Sequence, residues 1–178
     1  MSSRSPRKPG RRARPERYLL AALLLFGCNY GLRGGGGFPA DIDTIYIAPF
    51  ENQTVRFELG QEIFSELMEQ LPRSLGVRLA GEEVADAIVR GTITRYEDVA
   101  EGYRDDPAGR ALEVAQQQVT VTVSVQVIDT RRNVILWESS SLTGQGQYSP
   151  TSQSETDGRA EAVVDLVQRI IDGAQSQW

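Results

Sequence analysis

The chain has 178 residues, of which 40% are hydrophobic and 24% charged, with 19 basic and 24 acidic side chains and a formal charge of -5. This size and balance suit one ordinary globular domain, or two small ones, and exclude disorder as the main state. A polytopic helical membrane protein is excluded too, because no run of about 18 apolar residues occurs.

The reactive inventory narrows the chemistry further. There is no histidine, one cysteine (Cys28) and one lysine (Lys8). Ser/His/Asp and Cys/His catalysis, His or multi-Cys zinc sites and internal disulfides therefore lack their parts. No enzyme activity, cofactor or metal is expected. The carboxylate pairs Glu82-Glu83 and Asp105-Asp106 are adjacent in sequence, and such pairs on loops usually face water.

The charge divides into two segments. Residues 1–27 carry Arg4, Arg7, Lys8, Arg11, Arg12, Arg14 and Arg17 against Glu16 alone, a net +6, whereas residues 28–178 carry 12 arginines and 23 acids, a net -11. The basic stretch runs into the apolar segment Tyr18–Gly27 and then Cys28. About 10 apolar residues suit the h-region of an export signal and fall short of a bilayer core of about 30 Å. Leu25, Gly27 and Cys28 resemble a bacterial lipobox, which implies cleavage before a diacylglyceryl-modified Cys28. Asn29, in place of the Asp that often retains lipoproteins in the inner membrane, favours the outer membrane. Gly34 to Gly37 form a tether. The expected organisation is a signal peptide at 1–27, an acylated cysteine and tether at 28–40, and one domain at 41–178.

Within the body, Asp41–Ala48 reads as a strand with Ile45 and Ile47 on one face, ending at Pro49. Leu59, Ile63, Leu67 and Leu71 then recur at helical spacing, predicting an amphipathic helix that stops before Pro72. Val77–Leu79 suits a short edge strand. In Asp86–Arg95, Ala87, Val89, Gly91 and Ile93 alternate with Ile88, Arg90, Thr92 and Thr94.

The clearest pattern comes next, with Val119, Val121, Val123, Val125 and Val127 interleaved with Thr120, Thr122, Ser124 and Gln126. A strict period of two means a strand with one buried and one polar face. The turn Asp129–Asn133 leads to Val134–Trp137, so an antiparallel hairpin is expected. A second helix, from near Thr156 to Asp172, is capped by Ser154 or Thr156 and ends near Gly173, with Ala160, Val163, Val164, Val167, Ile170 and Ala174 as its stripe. The fold class is α+β: a mixed, largely antiparallel sheet of about four strands with two helices on one face, in the order β-α-β-β-β-α. Trp137 reads as core packing, and Asn52-Gln53-Thr54, a glycosylation pattern, as a backbone-satisfying turn.

Several stretches in order resemble the LPS-assembly lipoprotein LptE family. They are Cys28-Asn29-Tyr30-Gly31-Leu32, Ile45–Thr54, Ala85–Ile93, the Val/Thr strand and Val134–Glu138. The resemblance implies an outer-membrane lipoprotein that acts as plug and scaffold of the LptD β-barrel in lipopolysaccharide transport and assembly, held to the membrane by its lipid and without nucleic-acid binding. It also implies that Arg104, with Arg110 as a second candidate, contacts lipopolysaccharide; an arginine fork can hold phosphate with two hydrogen bonds. A second basic family position has no counterpart, since residues 28–178 contain no lysine. The polar strand face, Thr120, Thr122, Ser124 and Gln126, fits contact with a barrel lumen and equally fits an open sheet face of a soluble domain. Pro49-Phe50-Glu51-Asn52 and Ala85–Gly91 also resemble CsgG/TolB-type envelope lipoproteins, which leaves an oligomeric secretion or carrier component as the alternative.

Overall fold

The computed structural model describes residues 38–39, 41–105 and 112–176, which lie within a compact unit spanning Gly36–Trp178. The elements in chain order are β1 (Thr44–Ile47), β2 (Glu51–Asn52), α1 (Glu58–Leu75), β3 (Arg78–Leu79), β4 (Ala87–Asp105), β5 (Leu112–Asp129), β6 (Val134–Tyr148) and α2 (Glu155–Gln175). All strands join one six-stranded sheet in the order β3-β1-β4-β5-β6, with β2 continuing beside β4. β1 runs parallel to β3 and β4, and β2 parallel to β4. The long β4–β5 and β5–β6 pairs are antiparallel.

The α+β class and the two helices are as expected, but about four strands is an underestimate. β2 is only two residues long and has no alternation to read. β4 and β6 also run far beyond Arg95 and Trp137, because backbone pairing to β5 carries them through polar and glycine-rich sequence.

Five valines of β5, Val119 to Val127, are at most 1% exposed and form the centre of the core. Each such side chain contributes roughly 1.5–3 kcal/mol by leaving water. Against them lie Leu59, Ile63, Leu67 and Leu71 of α1 and Leu166, Val167 and Ile170 of α2, all fully buried. The stripe assigned to α2 is half corrected: Val163, Val167, Ile170 and Ala174 are buried, whereas Ala160 and Val164 face outward and Leu166 and Ile171 take the inner positions.

Two helix ends differ from expectation. α1 passes through Pro72 to Leu75 and stops at Gly76, whose φ of 70° is left-handed and whose N–H donates to the Pro72 carbonyl. Proline removes one backbone donor, yet burial of Leu71 and Leu75 on either side holds the last turn. α2 likewise continues past Gly173 to Gln175. Its start is as read: the Ser154 N–H and hydroxyl both donate to Asp157 Oδ2 at 2.8 Å.

The helices lie side by side and run in the same direction. Near their N-termini Arg159 of α2 pairs with Glu62 of α1, and near their C-termini Gln175 Nε2 donates to the Ser74 carbonyl at 2.9 Å. Together they cover one face of the sheet and leave the other open.

Candidate interaction face

The open face is ordered by strand register. Its first row, Tyr46, Ile88, Ile128 and Ile135, is apolar and lies across β1, β4, β5 and β6. Ile88 is 8% exposed and Ile135, on the sheet edge, 51%. The next row holds Arg90, Gln126 and Glu138, and the rows after it Thr92 with Ser124, then Arg95, Thr122 and Thr143, then Glu97, Thr120 and Gln145.

Thr120, Thr122, Ser124 and Gln126 thus stand in line on one face, but not in equivalent surroundings. Gln126 is exposed and its Nε2 donates to Glu138 at 3.1 Å. Thr122 is 8% exposed because a bulge in β4 crowds it: Thr94 is the extra residue between Ile93 and Arg95, and its hydroxyl donates to the Thr122 carbonyl at 3.2 Å. The same bulge reverses the alternation of β4, so Tyr96 and Asp98 turn toward the helix side.

Polar side chains from four strands surround a depression of about 820 Å³, with Glu51, Arg90, Gln126, Glu138 and Ser140 on its walls. Arg90 Nη2 stands 3.5 Å from Glu82 Oε1. Beneath it Gly91 has no space for a side chain, since a Cβ there would come 2.6 Å from Cζ of Phe50. Of these residues, the alternation of β4 already placed Arg90 on the polar face. Glu138 and Ser140 escaped notice because a shift in the β5–β6 register and the glycines of β6 break the apolar period that marks a strand.

Arg104 lies on β4 with its backbone opposite Glu113; its side chain, Arg110 and Cys28 lie outside the described residues.

Ionic clusters stand at the start of β1 and at the N-termini of the two helices. Where the chain enters β1, Asp86 Oδ2 accepts the Thr44 hydroxyl at 2.8 Å and the Asp43 and Thr44 N–H groups. The Thr44 hydroxyl is the main cause that holds the Asp86 carboxyl below its ordinary value, helped by those N–H groups and Arg131. Asp41 pairs with Arg131 and Arg132, and the fully buried Asp129 accepts the N–H groups of both arginines at 2.9 and 3.0 Å. Asn133, with φ 52°, completes that turn.

At the helix N-termini, Arg159 grips Glu62 through Nε (3.0 Å) and Nη2 (3.1 Å) and Glu155 through Nη1 (2.9 Å), with Glu58 3.5 Å away. Burial acts to lower the pKa of the guanidinium, but the hydrogen bonds it donates to Glu62 and Glu155 raise it instead. Glu155, where burial acts upward, is held below its ordinary value by Tyr96 and Arg159. Tyr148 is pushed up by burial and by its 3.0 Å hydrogen bond to Asp98. Arg56 lies over the Tyr96 ring, 5.2 Å from its centre.

Among the described residues there is no group of three metal-binding side chains, and no helix is long and apolar enough to cross a membrane.

Residues 42–174 match the family described as LptE: Lipopolysaccharide-assembly. No curated protein matches the chain. The chain is similar to several solved structures, of which the first below shares its fold. The PelC dodecamer from Paraburkholderia phytofirmans is 18% identical, with a TM-score of 0.50 over 80% of this chain and 96% of that one. Lipoprotein GNA1162 from Neisseria meningitidis is 13% identical, with a TM-score of 0.43 over 72% of this chain and 95% of that one. A putative lipoprotein from Caulobacter crescentus is 15% identical, with a TM-score of 0.45 over 72% of this chain and 87% of that one. The family match spans every described strand and both helices from β1 to all but the last residue of α2, so the chain belongs to the LptE lipopolysaccharide-assembly family.

Proposed function

We propose that the protein is an outer-membrane lipoprotein, anchored through Cys28, that serves without enzymatic activity as plug and scaffold of an LptD-type β-barrel in lipopolysaccharide assembly. Membership of the LptE family over residues 42–174 carries this reading. The sheet supports it physically: its open face is lined by Thr, Ser and Gln, groups that exchange hydrogen bonds readily with the polar lining of a barrel lumen. Thr120, Thr122, Ser124 and Gln126 are the contact positions on β5, Thr122 being the least accessible of them. Arg104 and Arg110 are assigned to lipopolysaccharide contact.

The anchor rests on chemistry in the leader. Each buried acyl CH₂ is worth about 0.8 kcal/mol, so stable attachment needs more than one chain, as a lipidated N-terminal cysteine supplies. Residues 28–178 carry a net -11, and anionic lipopolysaccharide is repelled by such a body on average. Scaffolding, with lipid contact limited to a local arginine site, is the form of the function that this charge allows.

Affinity purification of the tagged protein from native membranes is the decisive experiment. Recovery of a large β-barrel subunit is expected, and its absence overturns the reading. The fold shared with the PelC dodecamer motivates the second reading, an oligomeric envelope component; a large homo-oligomer in detergent without a barrel subunit selects it. Cys28→Ser should release the protein from membranes, whereas retention of the unacylated chain would show that the lipid is dispensable.

A further inference from the structure

The loop between β2 and α1 displays two apolar side chains almost fully to solvent: Val55 is 84% and Phe57 86% exposed, the largest values for large hydrophobic side chains among the described residues. Neither belongs to the open sheet face. The loop is nevertheless tightly ordered. Asn52 Nδ2 donates to the Arg56 carbonyl at 2.7 Å, and Asn52 Oδ1 accepts the Thr54 N–H at 2.9 Å and the Thr54 hydroxyl at 2.8 Å. The Thr54 hydroxyl oxygen in turn accepts the Arg56 N–H at 3.2 Å. Between the two apolar residues, Arg56 turns inward onto the Tyr96 ring and stands 3.9 Å from Glu155. The Asn52-Gln53-Thr54 stretch therefore works as a brace.

We infer that Val55 and Phe57 are a preformed anchor for a partner protein that offers an apolar cleft rimmed by basic side chains. An anchor already held in its bound shape loses little freedom on docking, and aromatic side chains inserted into clefts dominate binding energy. The rim follows from charge. Glu51 and Glu58 flank the loop and are exposed; Arg159 stands 3.5 Å from Glu58 but is shared with Glu62 and Glu155, and Arg56 stands 3.9 Å from Glu155, so these four acids outnumber the two arginines beside them. A basic rim is attracted to such a collar.

The same collar disfavours the other occupants. A second copy would bring a further net -11 and an identical acidic collar. An anionic lipid surface is repelled by the same excess of acid.

The test places a benzophenone amino acid at position 57 of the full chain in native membranes, with position 164, a 46% exposed valine on α2, as the control. Irradiation should give a heteromeric protein adduct from position 57 and none from 164. That adduct should fall about tenfold in the Glu51→Lys/Glu58→Lys protein and in 1 M salt, where the screening length is about 3 Å. Excess natural chain added before irradiation should lower the adduct yield, whereas correctly folded Phe57→Ala chain should leave it unchanged. No adduct, adducts with lipid or with a second copy, or a protein adduct indifferent to charge reversal would overturn the proposal. The captured protein's identity separates this inference from the proposed function: a protein other than a barrel leaves the anchor standing and removes support from the barrel reading.

Discussion

Gly146 of β6 and Gly158 of α2 are in such close contact that a Cβ on Gly146 would enter the Gly158 carbonyl oxygen and lie 2.5 Å from the Ala162 nitrogen. Gly144 meets the same helix, its Cβ position lying 2.5 Å from Cβ of Leu166. This approach lets the helix seal the edge of the sheet. Gln145 N–H donates to Asp165 at 2.9 Å and Gln147 N–H to Glu161 at 3.1 Å, so backbone donors that an edge strand would offer to another chain are already occupied.

Gly146→Ala should therefore destabilise the fold by about 1–3 kcal/mol, the usual cost of overpacking, read as a lower urea midpoint. Gly81→Ala, where no atom lies within 4 Å of the added Cβ, should have little effect and serves as the control.

Replacing the acids that seal that edge tests a different property. Glu161→Ala with Asp165→Ala should cost about 1–3 kcal/mol if the two N–H groups lose their partners without replacement by water. The more sensitive readout is aggregation, which should rise as β6 is unmasked; unchanged light scattering after prolonged incubation would count against edge protection.

Arg159→Ala should cost about 2–3 kcal/mol. A buried pair that loses one partner usually costs about 3–5 kcal/mol, but Glu62 and Glu155 are 34% and 24% exposed and regain solvent. Denaturant melts of Arg159→Ala, Glu62→Ala and the double variant give the coupling, and simple additivity would show that the pair is energetically idle.

Acid should weaken the fastening of β1. Asp86 and Glu155 both have carboxyl pKa values lowered in the folded state. Their stabilisation is therefore complete above the unfolded values, 3.8 and 4.5, and is lost as pH falls through the lower folded values. Stability measured from pH 6 down to pH 2 should decline over that lower range, and Asp86→Asn should flatten the decline. An equally steep profile in the variant would assign the acid sensitivity elsewhere.

On the open face, Thr120→Glu and Ser124→Glu should weaken barrel association while leaving the thermal midpoint within a few degrees. Thr122→Glu should lower the midpoint as well, because that side chain is 8% exposed and cannot keep a carboxylate hydrated without local rearrangement. Equal association of all three variants would remove this face from the interface.

Much of the core was legible in the chain. The alternation from Val119 to Val127 identified both the buried and the polar side of β5, and the spacing of Leu59, Ile63, Leu67 and Leu71 identified the inner stripe of α1. Such periods are written by the solvent, since a side chain that repeats on one face must meet either water or core along its whole length. The turn Asp129–Asn133, the Ser154 cap and the packing role of Trp137 were legible for local reasons of the same kind.

The rest depended on partners distant in sequence. β2 and the far halves of β4 and β6 carry no apolar period, and they are strands because β4 and β5 offer them hydrogen-bonding neighbours. The bulge at Thr94, which turns Tyr96 and Asp98 inward and leaves Thr122 crowded, exists only once β5 fixes the register. Glycine at 144 and 146 looks like weak strand sequence until α2 is laid against it. The residues alone determined which positions seek the core and that residues 1–27 and 28–178 carry opposite charge; the tertiary structure decided how the strands align, which edge is sealed, and that Val55 and Phe57 remain in water, because those outcomes follow from contacts between segments that no local pattern encodes.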